Sequence, residues 1–122
     1  MTLTRLQTGA RMSQAVIHGS TVYLAGQVAD QAKGKSVGDQ TREILATIER
    51  LLAEAGSDKT KILSTTIYLA DIATFAEMNA VWDAWVAAGH APARATVEAK
   101  LAAPAYTVEI VCVAARSEPT LL

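Results

Sequence analysis

Two stretches of the chain, ILSTTIYLA at 62–70 and TVEIVCVAA at 107–115, are apolar or β-branched at nearly every position. A strand with one wet face alternates apolar and polar residues, whereas a strand covered on both faces does not. Both stretches therefore belong inside a sheet covered on both sides, and this requirement limits the folds open to 122 residues.

Only two segments have the period of a helix to supply that cover. From Asp39 to Ala55, the residues Ile44, Leu45, Ile48, Leu51, Leu52 and Ala55 recur at steps of three and four and form one apolar stripe. Gly56 follows where a left-handed cap residue is favoured. A second helix is expected from Thr74, with Glu77 at capping-box spacing, a stripe of Phe75, Met78, Val81, Trp82, Trp85 and Val86, and a stop at Gly89. The remaining apolar runs read as strands: AVIH and VYLA (15–18 and 22–25) around a Gly19-Ser20 turn, then 62–70, RATVEA (94–99) and YTVEIVCVAA (106–115), with 3–8 as an edge strand. The order is β-β-β-α-β-α-β-β, an α+β sandwich with helices on one face and a single domain over 1–122. The polar loop DQAKGKSVGD (30–39) reads as mobile. Two helices cover one face of this sheet, and no residues remain for the other. The chain is therefore expected to form a homo-oligomer whose sheets pack together.

Charge and composition remove several function classes. Eleven basic and twelve acidic residues give a net charge of −1, and the lysines fall in scattered pairs, which argues against nucleic acid as a partner. No apolar run approaches the ~18 residues of a membrane span, and the start, MTLTRLQTGARMSQ, lacks the pattern of a signal peptide. With Cys112 the single cysteine, no internal disulfide forms, and a cytoplasmic setting fits best. The GKS at 34–36 resembles the end of a phosphate-binding loop, but the earlier glycine it needs would be position 29, an alanine. His18 and His90 are far apart and border a turn and a helix end, so no metal-ligand set is expected. Cys112 reads as a small core residue, and Trp82 and Trp85 as helix packing.

Two charges in the apolar strands remain, Arg94 and Glu109. If the last two strands formed a simple hairpin, 94 would lie opposite 109 and the two would form a cross-strand ion pair. Alternatively, the planar fork of Arg94 receives a small carboxylate from outside, with Glu109 handling protons or water. Local reading leaves both open.

At these residues the chain resembles the RidA (YjgF) family of enamine and imine deaminases. The likeness lies in GHAPARATVEAKLAAPAYTVEIVCVAA, with its Pro-Ala-Arg step, a valine three residues after the arginine and Val-Glu-Ile fourteen to sixteen residues beyond it. SQAVIHGSTVYLAGQ (13–27) and TTIYLADIATFAEMNAVWDAW (65–85) are similar to two further family segments in the same order, and WDAWV with GHAPARATV resembles a short bacterial branch. The resemblance implies a chorismate-mutase-like fold, a mixed sheet with the last strand between the third and fourth, and a homotrimer with clefts between subunits. It also implies hydrolysis of 2-imino or 2-enamino acids to 2-keto acids and ammonia, with no cofactor and no metal. By that resemblance Arg94 holds the substrate carboxylate, Glu109 activates water, and Ala25, Gly26 and Asn79 line the pocket.

The chain departs from the family pattern at three lining positions. Met12 stands where an aromatic precedes Ser-Gln, Ala25 where a serine precedes Gly-Gln, and Thr96 where a cysteine often follows the arginine by two residues. Lost hydroxyls at 12 and 25 alter the preferred side chain of the substrate, while the anchoring arginine and the carboxylate are retained. Two further readings stand beside the enzyme: a trimeric module that binds small carboxylates or 2-keto acids without turnover, and the endoribonuclease and translation inhibitor of the family's older label. The last needs phosphate contacts that a net charge of −1 does not favour.

Overall fold

The computed structural model describes residues 2–117. Its elements run β1 (Leu3–Thr8), β2 (Ser13–His18), β3 (Thr21–Leu24), α1 (Val37–Glu54), β4 (Ile62–Leu69), α2 (Phe75–Trp85), β5 (Ala93–Glu98) and β6 (Val108–Ala115), in the expected order. The strands form one mixed sheet in the order β1-β2-β3-β6-β4-β5. Every pairing is antiparallel except β4 with β5, which is parallel and uses α2 as its crossover. The simple hairpin between the last two strands does not form, because β4 lies between them. The apolar profile of β6 suits this central place, with β3 on one side and β4 on the other.

The core lies between the sheet and α1. Ile44, Leu45, Ile48, Leu51 and Leu52 of α1 join Ala15, Ile17, Val22, Leu24, Ile67, Leu69, Val108, Ile110, Cys112 and Ala114 in one buried cluster. Removing a side chain such as Leu52, which is fully buried, costs about 2–5 kcal/mol. The helix starts at Val37, two residues before the expected Asp39, because the Ser36 hydroxyl accepts from the Asp39 amide at 3.1 Å and caps it there. Gly56 closes it with φ +81°, and Gly19 takes φ +60° in the two-residue turn between β2 and β3.

Two local expectations are replaced by longer-range contacts. The Thr74 hydroxyl donates to the Asp71 carbonyl instead of capping α2, and Glu77 accepts from the Gly38 amide at 2.8 Å. Glu77 thus places its carboxylate at the N-terminus of α1, where the helix dipole favours a negative charge, and ties the two helices together. The loop at 30–39 is held rather than free. Ala32 donates to Glu43 at 2.8 Å, Gly34 to the Ala105 carbonyl at 3.0 Å, and the Tyr106 hydroxyl to Asp30 at 2.5 Å. Gln40, fully buried, donates to the Lys35 and Ala105 carbonyls and accepts from the Thr107 amide.

Among the described residues nothing covers the second face of the sheet. Val16, Val111 and Val113 are half-buried there, and Tyr23 and Val97 are 50% and 43% exposed. No helix among the described residues is long and apolar enough to cross a membrane.

Candidate functional site

Arg94 sits on the helix-covered side of the sheet. It is in register with Thr65, whose side chain is buried against Cys112, and successive strand residues point to opposite faces. Its guanidinium carbon lies 5.3 Å from the Trp82 ring centre and 5.8 Å from that of Phe75, both on α2. Among the described residues no carboxylate pairs with it. The acid on the same face of β5, Glu98, accepts instead from the Ile72 amide at 3.0 Å. Asn79 lies on α2 one turn from each of the two aromatic residues, and Thr96 follows Arg94 on the same face of β5. Asn79 Oδ1 and Thr96 Oγ1 are both buried without a hydrogen-bond partner. A buried unpaired oxygen costs about 1–3 kcal/mol, so this corner carries an uncompensated cost beside an unpaired cation.

Glu109 belongs to the other face. It is in register with Tyr68, and it alternates with Val108 and Ile110, which are in the core. Its neighbourhood is set by a bulge. Tyr23 pairs with Val113 and Gln27 with Ile110, so one strand takes four steps where the other takes three, and the extra residue falls at Ala25-Gly26. The bulge brings the Gly26 backbone against the carboxylate: a Cβ at position 26 would lie 2.3 Å from Glu109 Oε2 and 3.4 Å from Val111 Cγ2. It is pinned by the Ala25 amide on the Gln14 carbonyl at 2.9 Å and by the Gln27 side chain, which donates to Gln14 Oε1 at 2.9 Å and to the Ala25 carbonyl at 3.0 Å. Met12 lies just before β2 and is 56% exposed.

The residues singled out from the sequence thus fall into two groups. Arg94 and Thr96 share the face of β5 on the side of α2, the helix that carries Asn79; Gly26 and Glu109 meet on the open face, with Ala25 adjoining Gly26. Arg94 and Glu109 are separated by two strand spacings of about 4.8 Å each, by three register positions along the strands, since Arg94 is level with Cys112, and by the sheet itself. Phe75 and Trp82 were expected only to pack; the i, i+7 spacing that puts both on one side of α2 was the available sign that they flank a common neighbour. The contact of Gly26 with Glu109 had no local sign beyond the glycine itself.

Other chemistry-bearing groups lie elsewhere. Cys112 is buried against Thr65, and burial pushes its thiol up to about 11. His18 and His90 are exposed at a strand end and after α2. Among the described residues no three His, Cys, Asp or Glu come together as metal ligands. A concavity of about 550 Å³ opens between α1 and α2, lined by Leu45, Ala46, Lys59, Ala80, Ala84 and Trp85, and includes neither Arg94 nor Glu109.

The family model described as Endoribonuclease L-PSP matches residues 2–116. A RutC family protein of Escherichia coli, YoaB, is 48% identical over 115 residues, covering 94% of this chain and 99% of that one. The crystal structure of a YjgF family member from Neisseria meningitidis superposes with a TM-score of 0.93 at 45% identity, covering 98% of both chains. A more distant relative from Rattus norvegicus, named 2-iminobutanoate/2-iminopropanoate deaminase, is 31% identical over 107 residues, covering 84% of this chain and 77% of that one.

Proposed function

Because the chain belongs to the Endoribonuclease L-PSP family, whose members also carry the names YjgF and RutC, we propose that it hydrolyses reactive 2-imino or 2-enamino acids to 2-keto acids and ammonia. The observation that carries this reading is Arg94: a half-buried guanidinium flanked by aromatic rings, with no acidic partner among the described residues. A cation kept this way is ready for an anion from outside. The name of the rat relative supplies the substrate class, in which one carboxylate adjoins one electrophilic C=N carbon.

In the proposed reaction Arg94 binds the carboxylate with two parallel N–H donors and so aims the imine carbon. Asn79 and Thr96 stand beside it and contribute polar contacts to the same end of the substrate. Glu109 accepts a proton from water as the water oxygen bonds to the carbon of the protonated imine and the C=N π pair moves to nitrogen, giving a neutral carbinolamine. The same carboxyl returns that proton to the amine nitrogen, then takes the hydroxyl proton as the C=O bond forms and the C–N pair leaves with ammonia; passing this last proton to ammonia restores the carboxylate and releases the 2-keto acid. Gly26 gives Glu109 its room, Ala25 supplies backbone beside it, and exposed Met12 offers an apolar contact to the substrate side chain.

Arg94 and Glu109 of one chain are on opposite sides of its sheet, so one substrate meets both only where two copies adjoin. This requirement and the uncovered sheet face support a homo-oligomer, and a homotrimer with a cleft at each subunit boundary meets both. A cleft of that kind leaves no closed cavity in a single chain.

The test is ammonia-linked decay of imines made in place by an amino-acid oxidase or a dehydratase, with wild type, Arg94→Ala and Glu109→Ala side by side. Acceleration by wild type that disappears in both variants is expected. Tight binding of 2-ketobutyrate with no acceleration of any imine would replace the enzyme by a carboxylate-binding module.

A further inference from the structure

We infer that Phe75 and Trp82 are positioning residues for Arg94, and that Trp85 and Lys59 carry the same support to the far side of α2. The inference rests on Arg94 receiving the substrate carboxylate, as proposed above.

An arginine on an edge strand has a long, flexible side chain, and an acid that held it would occupy the N–H groups needed for a ligand. Aromatic rings hold a guanidinium by its flat faces, whereas its N–H groups point outward in its own plane. The Phe75 and Trp82 rings lie 5.8 and 5.3 Å from the guanidinium carbon, within reach of cation–π attraction, which steadies the fork without using its N–H donors. Trp82 is itself fixed, since its ring lies 5.4 Å from that of Trp85 at an interplanar angle of 51°. The Lys59 ammonium lies 5.2 Å from the Trp85 ring centre, donates to the Trp85 carbonyl at 2.6 Å and is 3.4 Å from Glu49. Arg94, Trp82, Trp85 and Lys59 thus form a continuous row with a cation at each end. A fork held in one plane matches the two coplanar oxygens of a carboxylate better than the tetrahedral oxygens of phosphate, so the row also confers selectivity between anions.

The experiment compares wild type with Phe75→Leu, Trp82→Phe, Trp82→Leu and Lys59→Met. Binding of 2-ketobutyrate and of inorganic phosphate is measured by calorimetry, kcat and KM with an oxidase-generated imine, and indole emission during the titration. Phe75→Leu and Trp82→Leu are expected to weaken 2-ketobutyrate binding and raise KM about tenfold, with kcat within about twofold and with less discrimination against phosphate. Trp82→Phe restores most of the affinity, Lys59→Met raises KM about twofold, and wild-type indole emission shifts on binding. Trp82 is 5% exposed, so if Trp82→Leu does not fold the deciding variant is Phe75→Leu, at a residue 37% exposed. Wild-type affinity in both Phe75→Leu and Lys59→Met, in a wild type that binds and turns over, overturns the inference and leaves the reaction standing. A wild type that neither binds 2-ketobutyrate nor hydrolyses any imine overturns the reaction, and the inference with it.

Discussion

Arg94 and Glu109 project from opposite faces of one sheet, Arg94 in register with buried Thr65 and Glu109 in register with Tyr68. If both act on one substrate, each site draws its arginine from one copy and its carboxylate from the next. Arg94→Ala and Glu109→Gln are then each inactive alone but complement each other. Randomly mixed subunits are expected to regain about a quarter of wild-type activity, because about one boundary in four joins an intact arginine to an intact carboxylate. Mixed oligomers shown by mass spectrometry but lacking ammonia release would rule out the shared site.

Gly26→Ala tests the role of Glu109 without touching it. Position 26 is outside the left-handed region, so alanine fits the backbone, but its Cβ would lie 2.3 Å from Glu109 Oε2. The flexible end of Glu109 moves and the fold does not. A fall in kcat of about tenfold is expected, with a melting temperature close to wild type. An unchanged kcat would separate the Glu109 position from catalysis.

Gln40 is the buried link between the loop at 30–39 and the segment leading into β6. Gln40→Leu keeps the volume but strands the Thr107 amide, removes the Gln40 donor from the Lys35 carbonyl, and leaves the Ala105 carbonyl with only its bond from the Gly34 amide. The expected loss is about 2–4 kcal/mol, or on the order of 10 °C in melting temperature. Denaturant and thermal melts check it, and a change within error would mean that water replaces all three bonds.

Cys112 provides a test at alkaline pH. Burial raises its folded value from about 9 to about 11, so the thiol stays neutral in the fold while it ionises in the unfolded chain. Its contribution is complete below pH 9 and is lost as pH rises through that interval, at about 1.4 kcal/mol per pH unit. Cys112→Ala removes that slope, which paired denaturant titrations between pH 8.5 and pH 10.5 would detect. At neutral pH the thiol of the folded protein resists alkylation until the chain is unfolded.

Much of this arrangement was legible because the strongest signals are local. The period of α1, the Gly19-Ser20 turn and the unbroken apolar runs of β4 and β6 each depend on neighbouring residues, and a charge within such a run stands out. The family resemblance corrected the pairing of β6, which local spacing had turned into a hairpin with β5. A parallel partner joined through a helix leaves no mark on the residues between two consecutive strands. For the same reason Glu77 read as a cap of its own helix, when its partner, Gly38, is 39 residues away. The loop at 30–39 read as mobile because its restraints come from Glu43, Ala105 and Tyr106. Composition showed its polarity and could not show those ties.

The place of β6 bears on how the chain is made. It pairs with β3 and β4 at the centre of the sheet, yet it follows every other element among the described residues. Until residues 108–115 leave the ribosome, β3 and β4 each present an unpaired edge, and the apolar face of α1 has only part of its floor. The 107 residues that precede β6 therefore cannot settle as a finished unit during translation. Closure of the sheet comes as a late, long-range event, and the nascent chain is most exposed to aggregation, and most in need of a chaperone, just before it.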